Sequence, residues 1–221
     1  MIGIYGGTFD PVHFGHLRTA LEVAELLELD ELRLLPAGRP PHRPPPQATT
    51  AQRLQMLRLA LAGQARLGLD PRELQRPGPS YMVDTLASLR AELGTRPLAL
   101  ILGQDAFLGL DRWHRWRELP DLAHLVVMTR PGGDWPQGGE LGALFEARRS
   151  QDPAALRAAA AGRIWCCPVR QLEISASGIR ALCAAGRSPR YLLPDAVLGY
   201  IEAEGLYQDS QGREMPAGES E

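Results

Sequence analysis

Short apolar runs alternate along the chain with segments in which apolar residues recur at helical spacing. Six runs, each bounded by turn residues, have the length of buried strands and cover residues 1–5, 31–35, 66–69, 98–102, 125–128 and 163–166. Helical patterns cover residues 15–27, 52–62, 80–93 and 141–161, the last interrupted at Pro153. This alternation predicts an α/β fold: a doubly wound, Rossmann-like parallel sheet with helices on both faces.

Length and composition favour one domain. A chain of 221 residues with 44% hydrophobic content is long enough to bury a sizeable core. Residues 208–221 are polar and without periodicity, which predicts a disordered tail behind a single domain over residues 1–207.

The charged residues exclude several chemistries. With 24 basic and 26 acidic residues the net charge is -2, so no overall positive field predicts nucleic-acid binding. Every basic residue other than histidine is arginine, which excludes a P-loop lysine and a lysine nucleophile. Arginine instead grips phosphate through its planar fork.

Cysteine number and hydropathy bear on the compartment. Three cysteines are too few and wrongly spaced for a structural zinc site or a disulfide scaffold. The chain starts with a strand-like segment rather than a secretory leader, and it has no run of about 18 apolar residues. These features predict a cytoplasmic protein without a membrane partner.

The stretch from Gly3 to His16, G-I-Y-G-G-T-F-D-P-V-H-F-G-H, joins the first predicted strand to the first predicted helix. Gly6 and Gly7 allow a sharp turn and let backbone N–H groups approach a ligand closely. His13 and His16 are three residues apart and share a face at the start of the helix, where the helix dipole favours anions. The stretch therefore predicts a phosphate site.

Two further loops are expected at the same place. In the strand order 3-2-1-4-5, the first and fourth strands are neighbours, and the crevice at their carboxyl ends is the usual ligand site. The segment L-G-Q-D at residues 102–105 follows the fourth strand. The proline-rich loop of residues 36–46 follows the second strand and carries Arg39, His42 and Arg43.

The segment E-I-S-A-S-G-I-R at residues 173–180 places two hydroxyls before a helix that Gly186 ends. N-capping alone would explain the serines. Paired with the first loop, however, Ser177 and Arg180 are candidates for holding a phosphate.

Two other interpretations of the first loop are weaker. The dehydrogenase dinucleotide fingerprint needs a different glycine spacing and an acidic residue after the second strand, which ends L-L-P. A zinc site on His13 and His16 lacks a third ligand, so no metal-binding residue is predicted.

The motifs at both ends resemble the nucleotidyltransferase superfamily whose H-x-G-H motif is shared with class I aminoacyl-tRNA synthetases. Within it, P-P-H-R at residues 40–43, P-S-Y at 79–81, G-Q-D at 103–105 and W-H-R-W at 113–116 resemble the bacterial nicotinate-nucleotide adenylyltransferases. The resemblance covers residues 1 to about 207.

This resemblance implies transfer of the adenylyl group of ATP to nicotinate mononucleotide, giving nicotinate adenine dinucleotide and pyrophosphate, in NAD biosynthesis. It implies Mg²⁺ bound with ATP. The implied catalytic residues are His13, His16 and Arg180. The implied ATP-binding residues are Gly6, Gly7, Thr8, Phe9, His42, Arg43, Gly103, Asp105 and Ser177.

The implied contacts to nicotinate mononucleotide are Ser80, Tyr81, Thr85 and Trp113. The face of Trp113 would attract a pyridinium cation. The carboxylate would be selected by N–H groups at the helix start near Ser80, together with Thr85. The chain departs from the family at Ala37-Gly38, where asparagines are usual, and at Met82, where threonine is usual.

Some alternatives stay open. W-H-R-W and P-P-H-R favour the nicotinate branch over pantetheine-phosphate adenylyltransferases and cytidylyltransferases, and the absence of lysine disfavours a tRNA synthetase. A non-catalytic nucleotide-binding sensor is the alternative from another class. The predicted partners are the two small-molecule substrates, and formation of a homo-oligomer is left open.

Overall fold

The computed structural model describes residues 1–39, 44–129, 135–170 and 172–208. Seven strands in these ranges form one parallel sheet: β1 (Ile2–Gly7), β2 (Glu31–Pro36), β3 (Leu67–Leu69), β4 (Leu98–Gly103), β5 (His124–Thr129), β6 (Arg149–Ser150) and β7 (Ile164–Pro168). Their order across the sheet is β3-β2-β1-β4-β5-β7-β6. The predicted order of the first five strands is confirmed, and two more strands extend the sheet beyond β5.

The central strands are buried along nearly their whole length. The first five residues of β4 and of β5 are all buried. β1 lies between β2 and β4, with Ile2 opposite Glu31 on one side and Leu98 on the other. Strands inside a parallel sheet are covered on both faces, so they need apolar residues at nearly every position. The continuous apolar runs in the sequence therefore indicated central strands.

The described residues also form nine α-helices: α1 (Phe14–Leu26), α2 (Thr50–Leu61), α3 (Arg72–Gln75), α4 (Met82–Leu93), α5 (Gln104–Leu108), α6 (Leu119–Leu122), α7 (Gly139–Arg148), α8 (Ala176–Ala184) and α9 (Asp195–Ala203). One hydrophobic cluster takes residues from α1, α2, α8 and α9, and a second takes residues from α4, α5, α6 and α7. The predicted helices on both faces of the sheet are therefore confirmed.

The helical pattern predicted over residues 141–161, with its interruption at Pro153, is wrong beyond residue 148. The chain leaves α7 at Arg148, adds the short strand β6 beside β7, and then makes a 3-10 turn over Pro153–Leu156. Asp152 caps that turn by accepting a hydrogen bond from the Ala154 N–H at 2.9 Å. A proline after a capping residue starts a helical turn rather than continuing one, so the break falls before Pro153.

The end of the chain stays a prediction. Leu206 and Tyr207 pack against the first hydrophobic cluster, whereas the predicted tail from residue 209 onward lies outside the described residues. In the part of the chain that the structure describes, no helix has the length and apolar character needed to cross a membrane.

Candidate active site

A cleft of about 650 Å³ opens at the carboxyl ends of β1 and β4. The two strands are parallel neighbours, so the loops that follow them leave the sheet side by side. The walls carry Gly6, Gly7 and Thr8 from the end of β1, Ser80 and Tyr81 from the start of α4, and Asp105, Arg112, Trp113 and His114 from the segment after β4. The cleft is of the size that holds a small-molecule ligand.

His13 and His16 stand at the first turn of α1 with their rings in contact. The ring centroids are 3.7 Å apart and the planes are inclined by 32°. His13 is 5% exposed, and burial lowers the pKa of its imidazole from 6.5 to about 4. Its Nδ1 has no hydrogen-bond partner among the described residues. At neutral pH His13 is therefore uncharged and carries a single ring N–H.

The helix α8 brings Arg180 to the β1–α1 loop, residues 8–13. Ser175 caps α8 by accepting a hydrogen bond from the Gly178 N–H at 3.1 Å, and the Ser177 hydroxyl donates to Ser175 Oγ at 3.2 Å. Nη1 of Arg180 donates to the main-chain oxygen of Asp10 at 2.6 Å. The two predicted motifs, one from each end of the chain, thus meet in the fold.

A second arginine fixes the β1–α1 loop from α2. Arg53 is 1% exposed, and its Nη1 donates to the main-chain oxygens of Thr8 at 2.8 Å and Ala37 at 2.9 Å. Phe9, which has a φ of 50° and a buried ring, lies in the chain between Thr8 and Asp10, whose main-chain oxygens accept hydrogen bonds from Arg53 and Arg180. Such a backbone conformation in a bulky residue persists where the surroundings impose it.

The far wall of the cleft is aromatic and basic. The rings of Tyr81 and His114 have centroids 4.3 Å apart and are inclined by 35°. Trp113 is partly exposed and lines the cleft, whereas Trp116 is buried in the core. The guanidinium of Arg112 lies over Gly109, where a Cβ would come 2.5 Å from Nη2. Two basic side chains therefore flank Trp113.

A buried carboxyl group supports the start of α4. Glu73 of α3 is 3% exposed, and burial raises the pKa of its carboxyl group. Its Oε1 accepts a hydrogen bond from the Thr85 hydroxyl at 2.8 Å, and Nη2 of Arg76 donates to the same hydroxyl at 2.9 Å. These contacts hold the α3–α4 connection, which includes Ser80 and Tyr81, against the cleft.

The departures from the family pattern fit this packing. A Cβ on Gly38 would come 2.4 Å from the main-chain oxygen of Glu73 and 2.7 Å from Ser80 Oγ. The chain can therefore hold no side chain there without moving the α3–α4 connection. Met82 extends over the opposite edge of the cleft, with its Cε 3.1 Å from where a Cβ on Gly6 would lie.

The cleft and the α1 start together bring most of the predicted residues to one region. Gly6, Gly7, Thr8, Ser80, Tyr81, Asp105 and Trp113 line the cleft, while His13, His16, Ser177 and Arg180 lie at the starts of α1 and α8, outside the cleft lining. Gly103 sits at the N-cap of α5. His42 and Arg43 lie outside the described residues.

Two predicted contacts need correction. Thr85 is fully buried, with its hydroxyl bonded to Glu73 and Arg76, so it does not reach the cleft to select a carboxylate. The physical reason is the helical register of α4, which turns Thr85 toward α3. The ring of Phe9 is buried in the core, so its side chain does not reach the site and only its backbone is available to a ligand.

Sequence reasoning missed three cleft residues with ionisable side chains: Glu73, Arg112 and His114. Arg112 and His114 adjoin Trp113 in the sequence, and their basic character beside a candidate aromatic contact was the available signal. Glu73 gave no such signal, because an acidic residue in a short surface helix is commonplace. Among the described residues, no group of three or more His, Cys, Asp or Glu side chains is arranged to hold a metal ion.

Comparisons with known proteins show which sequences this chain is similar to. Residues 4–182 match the Cytidylyltransferase-like family. A Methylococcus capsulatus protein named "Probable nicotinate-nucleotide adenylyltransferase" is 57% identical over 208 residues, which is 94% of this chain and 99% of that protein. A Pseudomonas aeruginosa protein of the same name is 54% identical over 208 residues, covering 94% of this chain and 97% of that protein.

The fold is also shared with solved structures. The structure described as "Plasmodium falciparum nicotinic acid mononucleotide adenylyltransferase complexed with NaAD" matches with a TM-score of 0.69 and 16% identity, covering 93% of this chain and 96% of that chain. At this identity the likeness concerns the fold.

Proposed function

The chain belongs to the nicotinate-nucleotide adenylyltransferases of the Cytidylyltransferase-like family, and on that premise we propose how its cleft performs their reaction. The enzyme transfers the adenylyl group of ATP to nicotinate mononucleotide in NAD biosynthesis. The mononucleotide phosphate attacks the α-phosphorus of ATP, a phosphoanhydride forms, and the bond to the bridging oxygen breaks to release pyrophosphate. No protein nucleophile is needed, so the protein contributes position and charge stabilisation.

The hydrogen bond between Arg180 and the Asp10 carbonyl is the observation that carries the choice of site. This bond joins α8, the helix that carries Arg180, to the β1–α1 loop, which leads into His13 and His16. Three side chains with N–H donors thereby adjoin one loop. We assign them to the phosphates of ATP.

Each donor has a distinct part in this scheme. His13 and His16 donate to phosphate oxygens as charge builds in the transition state, together with the amides of Gly7 and Thr8. Because burial keeps the pKa of His13 near 4, its imidazole acts as a neutral donor at pH 7. Arg180 and Ser177 hold the departing pyrophosphate.

The aromatic and basic wall takes the mononucleotide. The pyridinium ring lies against Trp113, whose face attracts a flat cation. Arg112 and His114 on either side of Trp113 favour a carboxylate over an amide on that ring, and the N–H groups near Ser80 add donors. Asp105, on the ATP side of the cleft in this scheme, accepts hydrogen bonds from the sugar hydroxyls of ATP. The proposed site thus has a ring end in the cleft and a phosphate end that runs from Gly7 and Thr8 to the starts of α1 and α8.

Magnesium fits this site through the substrate more than through the protein. When bound, Mg²⁺ neutralises phosphate charge and it commonly keeps several waters, so it needs few protein ligands. The lack of a three-ligand cluster among the described residues suits that mode, and Asp105 is an exposed carboxylate in the cleft wall. The protein residues then orient the phosphates that carry the ion.

Pyrophosphate release with ATP and one mononucleotide at a time tests the proposal. We expect release with nicotinate mononucleotide at a much higher kcat/KM than with nicotinamide mononucleotide. Release only with phosphopantetheine would establish the pantetheine-type alternative. Tight binding of ATP without release from any acceptor would establish the sensor.

A further inference from the structure

The Asp10 carboxylate joins three distant parts of the chain beside the candidate phosphate site. Asp10 is 4% exposed. Its Oδ1 accepts hydrogen bonds from the Tyr207 hydroxyl at 2.7 Å and the Ala48 N–H at 3.1 Å, and its Oδ2 accepts one from the Gln47 N–H at 2.8 Å. Neutral donors therefore occupy both oxygens of a buried carboxylate, which such a group requires.

Arg180 meets the same residue in a different way. Its Nη1 donates to the main-chain oxygen of Asp10 at 2.6 Å but stands 3.9 Å from Oδ2. The guanidinium is thus held by the carbonyl, and it forms no close hydrogen bond with the carboxylate. An arginine bonded through both nitrogens to a carboxylate would have fewer donors left for a phosphate.

The last turn of the chain is shaped to deliver the Tyr207 hydroxyl. After α9 the backbone takes φ of 60° at Gly205 and 63° at Tyr207. Leu206 N–H donates to the Ile201 carbonyl at 2.9 Å, which folds this turn back onto α9. A tyrosine in the left-handed region is uncommon, so a local contact has to maintain it. Burial and the bond to Asp10 raise the pKa of Tyr207, which keeps its proton on the donor.

From this geometry we propose that Tyr207 is a positioning residue for catalysis: by occupying Oδ1 of Asp10, it keeps the carboxylate from capturing Arg180. The guanidinium then stays on the Asp10 carbonyl with its remaining N–H groups directed to the triphosphate. This proposal rests on the proposed function, because it takes Arg180 as a phosphate-holding side chain.

The removal of one hydroxyl has a specific consequence in this scheme. In Tyr207→Phe, Oδ1 retains the Ala48 N–H and Oδ2 retains the Gln47 N–H, so the carboxylate loses one of its three donors and is held less firmly away from Nη1 of Arg180. A closer ion pair with Arg180 would then compete with the phosphates of ATP. The mononucleotide end of the cleft, around Trp113, would be unaffected.

A double-mutant cycle tests the coupling. The variants are Tyr207→Phe, Arg180→Ala and the pair, and Tyr200→Phe on α9 is the matched control because its hydroxyl has no hydrogen bond with a described residue. We expect Tyr207→Phe to lower kcat/KM for ATP about tenfold, which is the loss of one charge-assisted contact, with KM for the mononucleotide unchanged. In the Arg180→Ala background the same change should cost less than about twofold.

Several outcomes would overturn the inference. They are effects of the two substitutions that simply multiply, an unchanged kcat/KM in Tyr207→Phe, an equal rise of KM for both substrates, or an Arg180→Ala variant that binds and uses ATP normally. A purely structural role would lower the melting temperature of Tyr207→Phe, and the loss of kcat/KM would then be the same with Arg180 present or replaced by alanine. Melting curves of all four variants are therefore measured alongside.

A failure of the proposed function would give a different result. In that case the wild-type protein would release no pyrophosphate with nicotinate mononucleotide. The same cycle is then read from the Kd of a non-hydrolysable methylene analogue of ATP by calorimetry, which needs no acceptor. Coupling between Tyr207 and Arg180 in that Kd would support the positioning role, and its absence would refute it.

Discussion

The buried imidazole of His13 predicts a measurable loss of stability in acid. In the folded protein its pKa is lowered by burial from 6.5 to about 4, so between these values the unfolded chain binds a proton that the folded chain does not. Stability linked to a lowered pKa is fully present above the unfolded value and is lost as the pH falls through the folded value. The folded protein should therefore weaken as the pH drops from 6.5 toward 4.

The magnitude follows from the size of the shift. A lowering from 6.5 to about 4 corresponds to about 3 kcal/mol of unfolding free energy, at a limiting slope of about 1.36 kcal/mol per pH step. His13 is 5% exposed, so solvent screening reduces this figure little.

Urea unfolding of the wild type and His13→Asn at pH 7, 6, 5 and 4.5 measures this. The difference in unfolding free energy between the two proteins should shrink on acidification by roughly 2 to 3 kcal/mol. His124 is also buried with a lowered pKa, but it is present in both proteins and cancels. His114→Asn, which removes an exposed imidazole, is the control. A difference that stays constant across the pH range would refute the reasoning.

Four further outcomes are expected. His16→Ala should lower kcat about 100- to 1,000-fold with the circular dichroism spectrum unchanged, since it removes one donor to the transition state, and normal turnover would contradict its role. Arg112→Gln should lower kcat/KM for nicotinate mononucleotide about tenfold and leave kcat/KM for nicotinamide mononucleotide unchanged. Equal losses of kcat/KM would instead assign Arg112 to the phosphate that both mononucleotides carry. Trp113→Ala should raise KM for the mononucleotide alone, and a rise only in KM for ATP would reverse its assignment. A chelator should abolish pyrophosphate release and added Mg²⁺ should restore it, which metal-independent turnover would disprove.

The sheet was predictable because its signal is local. Each central strand is an uninterrupted apolar run, and a parallel sheet buries such runs on both faces. The order of the first five strands then follows from the usual doubly wound connection. β6, by contrast, has two residues, Arg149 and Ser150, and joins the sheet only because β7 offers it an edge. No sequence pattern of that length identifies a strand.

The location of the candidate site could be predicted from residues that form a local motif. The direction of a side chain that depends on helical register could not be predicted in the same way. The turn at Gly6 and Gly7 and the spacing of the histidines are local features. Thr85 lies four residues after Tyr81 on α4, and its side chain faces α3 because Glu73 and Arg76 bond its hydroxyl there. That choice depends on the position of a neighbouring helix, which the sequence of α4 alone does not contain.

Arginine has a structural role in this fold in addition to the phosphate-binding role proposed for Arg180. The absence of lysine pointed to arginine as the phosphate-binding residue, yet Arg53 is bonded to the Thr8 and Ala37 carbonyls, and Arg90 donates to four main-chain oxygens. The planar guanidinium suits this structural role, because its several N–H groups can donate to main-chain carbonyls that loops leave without a hydrogen-bond partner.

In the proposed function, Arg180 combines this structural role with phosphate binding, so its position matters more than its charge. Nη1 of Arg180 donates a hydrogen bond to the Asp10 carbonyl at 2.6 Å, and the Arg180 side chain stays partly exposed. A lysine at this position could bond either the Asp10 carbonyl or a phosphate. It could not hold both with a fixed angle between its donors, as the planar guanidinium can. The backbone of the β1–α1 loop is therefore itself the support that aims the guanidinium, and any change that moves Asp10 moves the charge offered to the triphosphate.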